Sequence, residues 1–444
     1  MKFDELNLNK PLLNALNDLG YTQPTTIQQK GFSVIMSGRD VVGIAQTGTG
    51  KTLAYLLPCL RQWEFSKSKP LKVLIIVPTR ELVVQVVEVA KQLSKYMSVT
   101  VEGVYGGVNI KPQMAMVGGG VDILVATPGR LLDLILNGSA KIKTVKRLIV
   151  DEVDEMLGLG FRYQLTTILN LLPPKRQNLM FSATLTDDVE ALITHYFNNP
   201  IKIEAAPTGT PLDNIVQSGY ALPNFYTKIN MLKTLLANKD EFKKVIVFAA
   251  TKKLADLVYE NIEGKFTDQI GIIHSNKSQN NRFDTVNKFQ AGTYRALIAT
   301  DIIARGLDIS EVSHVINFDM PDEAENYIHR IGRTGRADKE GISISFITPR
   351  EEEFQLAIEK LMNYKIAMQP VPETLETSDQ LIPDELPKIF VPNIQDKFSK
   401  KKLTGAFHEK LEKNKKVNVH LTRGMKLKLK YGKPKTRGQK KPGK

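Results

Sequence analysis

The chain has 444 residues, 42% hydrophobic and 24% charged, with a net charge of +14 and one cysteine. That length exceeds one ordinary core and predicts two or three domains; a single cysteine excludes a disulfide framework and argues against a cysteine-based zinc site. The first nine residues lack an apolar leader and runs such as 73–77 and 245–250 are far short of a membrane span, so a cytoplasmic protein with no membrane contact is expected.

In chain order, the first strong signal is an apolar strand over 40–44, then Ala45-Gln-Thr47-Gly48-Thr49-Gly50-Lys51-Thr52, then a helical pattern from Leu53. This is a phosphate-binding loop, with Ala where the general pattern has Gly. Gly48 and Gly50 let backbone N–H groups turn toward phosphate oxygens, and the following helix offers its positive end. Lys51 would neutralise β- and γ-phosphates, and the Thr52 hydroxyl would coordinate Mg²⁺. Cys59, on that helix, is expected to be inert core. Apolar β-branched runs at 73–77, 123–126 and 148–150 predict buried parallel strands of an α/β sheet. The third ends in Asp151-Glu152, where Asp151 would hold the hydrated metal and Glu152 would orient or deprotonate the attacking water. An acidic pair after a strand is often only a solvated strand end; the phosphate loop in the same domain argues otherwise.

The second half repeats the first. Lys72-Val-Leu-Ile-Ile-Val-Pro-Thr79 resembles Lys244-Val-Ile-Val-Phe-Ala-Ala-Thr251, and Leu124-Val-Ala-Thr127 resembles Leu297-Ile-Ala-Thr300. The intervals from Thr79 to Thr127 and from Thr251 to Thr300 are 48 and 49 positions. A third pair, Leu148-Ile-Val-Asp151 and Val315-Ile-Asn-Phe-Asp319, completes a pattern that predicts two copies of one fold. The second copy has no phosphate loop but carries His329-Arg-Ile-Gly-Arg333-Thr-Gly-Arg336. Guanidinium forks suit phosphate oxygens, so Arg333 and Arg336 are expected to complete one site at the seam. A plain basic surface is the alternative.

The organisation expected is a nucleotide-binding α/β domain over 1–208, a second α/β domain of the same fold over 209–370, a Pro/Glu/Thr/Ser-rich linker over 371–395 and a disordered basic tail over 396–444. The tail has 18 basic and three acidic residues, so it holds all the excess charge, and the remaining 43 basic and 44 acidic residues leave the body at −1. Such a tail attracts polyanions whatever their sequence.

Taken together and in order, these motifs resemble those of a DEAD-box RNA helicase of superfamily 2, over about 1–367, which implies that the two α/β domains are tandem RecA-like domains, the first binding ATP. Phe3 and Gly20-Tyr21-Thr-Gln-Pro-Thr-Thr-Ile-Gln28 resemble the adenine motif, which implies that Gln28 bonds the adenine edge and that Tyr21 or Phe3 packs near the base. The resemblance implies an RNA backbone grip by Pro78-Thr79-Arg80-Glu-Leu82, Gly106-Gly107 and Thr127-Pro128-Gly129-Arg130. It makes Ser182-Ala-Thr184 the link between hydrolysis and strand separation, with Asp154 and the domain-bridging His329 in the same coupling group. In the second half Val247-Phe-Ala-Ala-Thr251, Gln279-Asn-Asn-Arg282 and Ala299-Thr300-Asp-Ile-Ile-Ala-Arg-Gly-Leu-Asp308 match family motifs; Arg282 and Thr300 would touch RNA and Asp308 the ATP ribose. Arg333 and Arg336 become arginine fingers, and ATP and Mg²⁺ the cofactors.

Two departures stand out. The tetrad reads Asp151-Glu-Val153-Asp154, with Val for the family's Ala, and a small neighbour is expected to make room. Ser275 follows His274 where the family usually has Gly. The expected activity is RNA-stimulated ATP hydrolysis by a monomer that remodels RNA. The short loops and basic tail suggest the bacterial ribosome-assembly and RNA-decay helicases of the RhlE type. The alternatives are an ATP-gated RNA clamp with little unwinding and a DNA helicase of the same superfamily.

Overall fold

The computed structural model describes residues 2–45, 48–204, 215–301, 312–335, 340–386 and 430, apart from the side chain of residue 279. The chain divides into two units, Met1–Glu385 and Leu386–Lys444. The first contains two seven-stranded sheets. The first sheet comprises β1 (Val41–Ile44), β2 (Val73–Ile76), β3 (Val101–Val104), β4 (Ile123–Ala126), β5 (Arg147–Val150), β6 (Gln177–Ser182) and β7 (Ile201–Glu204), in the order β3-β4-β2-β5-β6-β1-β7. The second comprises β8 (Ile215–Ala221), β9 (Val245–Phe248), β10 (Ile270–Ile273), β11 (Ala296–Ala299), β12 (His314–Asn317), β13 (Gly341–Ile347) and β14 (Ala367–Met368), in the order β10-β11-β9-β12-β13-β8-β14. Every pairing is parallel.

The two orders become identical when β8 is matched to β1, β9 to β2, and so on to β14 and β7. The three sequence repeats fall on β2/β9, β4/β11 and β5/β12 of this correspondence. The fold is therefore two tandem RecA-like α/β domains.

Alternation explains why the strands read as unbroken apolar runs. Val73, Ile75, Ile123, Val125 and Ile149 face one core cluster; Leu74, Ile76, Leu124, Leu148 and Val150 face another on the opposite side of the sheet. Successive side chains point to opposite faces, and helices cover both, so every position must be apolar. Gly43 in β1 is required by close packing, since a side chain there would run into the ring of Phe181. Cys59 is buried in the first cluster, where burial raises its thiol pKa to about 11, so it is an inert apolar group at neutral pH.

The strand-to-helix turns at the carboxyl ends of the strands form the working edge. Thr79 caps helix Arg80–Leu93 by accepting from Leu82 N, and Thr251 caps helix Lys252–Glu263 by accepting from Leu254 N. The two threonines end the first repeat pair, so the duplication extends to the cap.

The segment after β14 differs from an extended linker beginning at 371. Leu375 and Ile382 are buried in the core of the second sheet. Ser378 N donates to Thr227 Oγ1 at 3.1 Å and Asn230 Nδ2 to the Glu376 carbonyl at 2.8 Å. Two isolated apolar anchors and backbone hydrogen bonds hold it, and neither leaves a periodic signal in a sequence. Residues 387–395 and the tail, apart from Lys430, lie outside the described residues.

Candidate active site

Helix Lys51–Arg61 starts at the carboxyl end of β1, with Gly50 in left-handed backbone at φ 88° as its cap. A side chain at Gly50 would strike the Gln28 amide. Gln28 holds that turn: its Nε2 donates to the Gly50 carbonyl at 3.0 Å, and its Oε1 accepts from Thr25 N at 3.0 Å. The adenine-motif glutamine is thus bonded to the phosphate loop itself. Tyr21 is exposed, whereas Phe3 is buried in the first core cluster.

Lys51 is 6% exposed and its Nζ has no hydrogen-bond partner among the described residues; the nearest carboxylate oxygen among them, on Asp151, is 3.9 Å away. Glu152 Oε2 is likewise buried without a partner. So is the hydroxyl of Tyr55, a fully buried residue whose ring is tilted against that of Phe181 with centroids 5.4 Å apart. Tyr55 lies one turn after Thr52, and helical side chains lean toward the N-terminus, which brings its hydroxyl beside Thr52 and Asp151. Orphaned buried polar atoms are costly. Their convergence at a helix N-terminus fits a bound nucleotide phosphate.

Among the described residues no group of three His, Cys, Asp or Glu side chains could hold a metal alone. One carboxylate and one hydroxyl, Asp151 and Thr52, fit Mg²⁺, which keeps waters and draws on substrate phosphates. Burial raises the Asp151 carboxyl, with Lys51 acting against it. Burial also pushes Glu152 up to about 7, against the opposing charges of Lys51 and Arg333. Arg333, from the second domain, therefore lies within electrostatic reach of the expected general base. Thr47, Asp308 and Arg336 lie outside the described residues.

Asp154 is the hub between the domains. Its Oδ2 accepts from Ala183 N at 3.1 Å, Thr184 N at 2.9 Å and Thr184 Oγ1 at 2.9 Å. His329 Nε2, from helix Ala324–Ile331, stands 3.8 Å from the same oxygen, and its Nδ1 meets Glu155. Burial acts to raise the Asp154 carboxyl, but His329, Lys51 and the Thr184 donors outweigh it and hold the group below its usual value. Ser182 Oγ donates to the Thr184 carbonyl at 2.6 Å, fixing the turn that presents Thr184. The structure thus brings all four coupling residues into one network.

Most of the residues expected to grip RNA share another groove, of about 370 Å³, lined by Pro78, Thr79, Arg80, Thr127, Gly129 and Arg130 from the first domain and Ser275 and Arg282 from the second. Thr79 and Thr127 are N-caps, so two helix N-termini face it, an arrangement suited to phosphate. Pro128 occupies the first turn of the second of these helices. Gly107, at φ 78°, leaves room for the Arg80 guanidinium, which a side chain there would strike.

Two arginines are committed within the protein. Arg130 donates to Gln113 Oε1 and to the Val108 carbonyl, both at 2.7 Å, so it braces the loop leading from Gly106-Gly107. Arg282 pairs with Glu81 at 2.9 Å across the two domains. Thr300, at the end of β11, is buried at 9% exposure. Val153 is fully buried, and the structure singles out no small neighbour that makes room for it. Three participants were missed from sequence. Tyr55 was detectable by its helical spacing from Thr52; Glu81 sits inside a recognised motif and Glu155 directly follows one, but their partners are distant in sequence.

A phosphate loop in one RecA-like domain, faced by a buried arginine from a second domain of the same fold, defines a two-domain P-loop ATPase. The family model described as DEAD/DEAH box helicase matches 25–192, and that described as helicase conserved C-terminal domain matches 227–338. The ATP-dependent RNA helicase CshA of Limosilactobacillus reuteri is 38% identical over 379 residues, 85% of this chain and 75% of that one. The pre-mRNA-processing ATP-dependent RNA helicase prp11 of Schizosaccharomyces pombe is 35% identical over 84% of this chain, which spans only 38% of its length. Among solved structures, S. cerevisiae Dbp5 bound to RNA and ADP BeF3 superposes with a TM-score of 0.76 at 29% identity, covering 83% of this chain and 95% of that one. The chain belongs to the DEAD-box family of ATP-dependent RNA helicases.

Proposed function

We propose that this chain couples RNA-stimulated ATP hydrolysis to local unwinding or remodelling of RNA duplexes and ribonucleoproteins. The observation that carries the reading is the Asp154 network, which ties the metal-binding strand end, the Ser182–Thr184 turn and His329 of the second domain together. When bound, magnesium–ATP supplies the anhydride bond to be broken and neutralises charge on its β- and γ-oxygens. Lys51 steadies those oxygens, and Asp151 and Thr52 hold the metal. Glu152 takes the proton of the attacking water, and Arg333 and Arg336 offset charge on the leaving group. Pro78, Thr79, Arg80, Gly107, Thr127, Gly129 and Thr300 grip backbone phosphates and 2′-hydroxyls, so sequence is hardly read. Gln28, Tyr21 and Asp308 serve the adenosine.

Domain closure around ATP and single-stranded RNA bends one strand and frees its partner, and hydrolysis reopens the cleft. The domain limits are 1–208 and 209–370, with the segment over 371–386 packed onto the second domain, and the chain works as a cytoplasmic monomer in ribosome assembly or RNA decay. No helix among the described residues is long and apolar enough to cross a membrane. The test compares ATP turnover with and without single-stranded RNA, in the native protein and in Glu152→Gln. Native turnover should rise several-fold with RNA, and the variant should bind ATP yet turn over ~10²-fold more slowly or worse. Equal native rates with and without RNA would defeat the reading; normal turnover in the variant would remove Glu152 from the base role.

A further inference from the structure

The opposite edge of the first sheet, at the amino ends of the strands, carries a second concentration of charge. A groove of about 1020 Å³ lies beneath the starts of β1 and β6, with Arg39, Lys146 and Lys175 on its walls. Lys146 is shared with a neighbouring groove of about 520 Å³ that contains Trp63 and Lys72. Arg147 joins the two floors by donating to Gln177 in one and Gln62 in the other. Seven Lys and Arg side chains line the pair against two carboxylates, Asp40 and Glu64. This excess is local, because the body outside the tail has 43 basic and 44 acidic residues.

Asp40 is buried and its charge acts on Arg176, so it offsets only part of the cationic excess. Its oxygens accept from Asn178 N at 2.7 Å, Asn178 Nδ2 at 3.0 Å and Asn198 N at 2.9 Å. Arg39, Lys146 and Lys175 are exposed. Beside them Trp63 and Phe65 meet edge to face at 6.3 Å, with Phe65 64% exposed. The buried indole N–H of Trp63 has no partner among the described residues. Cations alone would suit any polyanion. Aromatic faces set among cations favour one whose charges alternate with flat rings, which is single-stranded nucleic acid rather than an acidic peptide.

We infer that this groove is a second, sequence-independent contact for single-stranded RNA, holding strand that runs on from the cleft between the domains. The inference rests on the reading that RNA occupies that cleft. Lys72 precedes β2 and Thr79 follows it, so the two sites lie about 23 Å apart along one strand at ~3.3 Å per residue. A short oligonucleotide filling the cleft does not reach the groove; a long one does.

The test measures binding of oligouridylates of about 6 and about 24 nucleotides to the full chain with a non-hydrolysable ATP analogue. The native protein is compared with the triple variant Arg39→Glu, Lys146→Glu, Lys175→Glu, whose side chains are all exposed. The short probe should bind both proteins equally. The long probe should bind the variant ~10-fold more weakly, with a salt slope shallower by about 2, as expected for three lost single-strand phosphate contacts. A long probe carrying 4-thiouridine should crosslink to peptides holding Lys146 or Lys175. Unchanged long-probe affinity, equal loss on both probes or absence of those crosslinks would overturn the inference. Loss of poly-glutamate binding with RNA binding intact would do the same by assigning the groove to acidic protein. Failure of the native protein to bind the short probe would strike the cleft reading instead.

Discussion

Glu152 occupies left-handed backbone, φ 53° and ψ 50°, at the start of helix Val153–Gly158. A non-glycine residue is held there only by its surroundings; here its N–H donates to Asp151 Oδ1 at 3.0 Å. The placement buries the carboxyl and pushes it up to about 7. A base must be ionised to accept a proton, so activity is present above that value and lost as pH falls through it. Because kcat/KM reports the nucleotide-free enzyme, its profile for ATP at saturating RNA should climb to a plateau with a midpoint near pH 7, the value burial gives Glu152; a flat profile over the surrounding pH range would contradict the assignment.

Tyr55 makes a different prediction. Tyr55→Phe removes a hydroxyl that lies beside Asp151, has no hydrogen-bond partner among the described residues and is placed to engage that carboxylate once nucleotide is bound, so the Mg²⁺ concentration for half-maximal binding of a fluorescent ATP analogue should rise ~10-fold. Without nucleotide the variant should melt no lower than the native protein, since the lost hydroxyl was buried without a partner. An unchanged Mg²⁺ requirement would confine Tyr55 to packing.

At this scale the sequence was uneven evidence. The phosphate loop and the acidic pair were legible because each is contiguous and chemically specific. Tyr55 passed as helix core. The commitments of Arg130 to Gln113 and Val108 depend on a loop conformation that no local pattern encodes.

Among the elements, the duplication was legible because parallel strands buried on both faces leave long apolar runs at a repeating interval. The shared strand order, including β7 and β14 at the sheet edges, was not; edge strands of two to four residues give too short a signal. Helix Gln279–Gln290 brings Arg282 to Glu81 of helix Arg80–Leu93. Removing one partner of a buried pair strands the other charge. Glu81→Gln and Arg282→Gln should therefore each weaken RNA binding in the presence of an ATP analogue, and the double variant should lose less than the sum of the two. Additive losses in that cycle would show that the pair does not act as a unit. The strap over 371–386 was hidden for the reason the helices were not: its anchors, Leu375 and Ile382, have no period.

For the molecule as a whole, charge separates the roles. A body near neutrality needs shaped phosphate sites to hold RNA, while 396–444 carries +15 and adds affinity by counterion release. Deleting everything after Pro392 should weaken RNA affinity and flatten its dependence on salt, with ATP turnover at saturating RNA unchanged; unaltered affinity would remove the tail from RNA binding.

The central claim is that one domain holds the triphosphate and the other completes the reaction centre when RNA joins them. ATP turnover of Arg333→Ala at saturating RNA, measured beside its RNA-free affinity for a fluorescent ATP analogue, tests this most directly. Turnover should fall ~10³-fold or more, the usual worth of an arginine finger, with RNA-free nucleotide affinity within about twofold of native. Turnover within about tenfold of native would contradict the account.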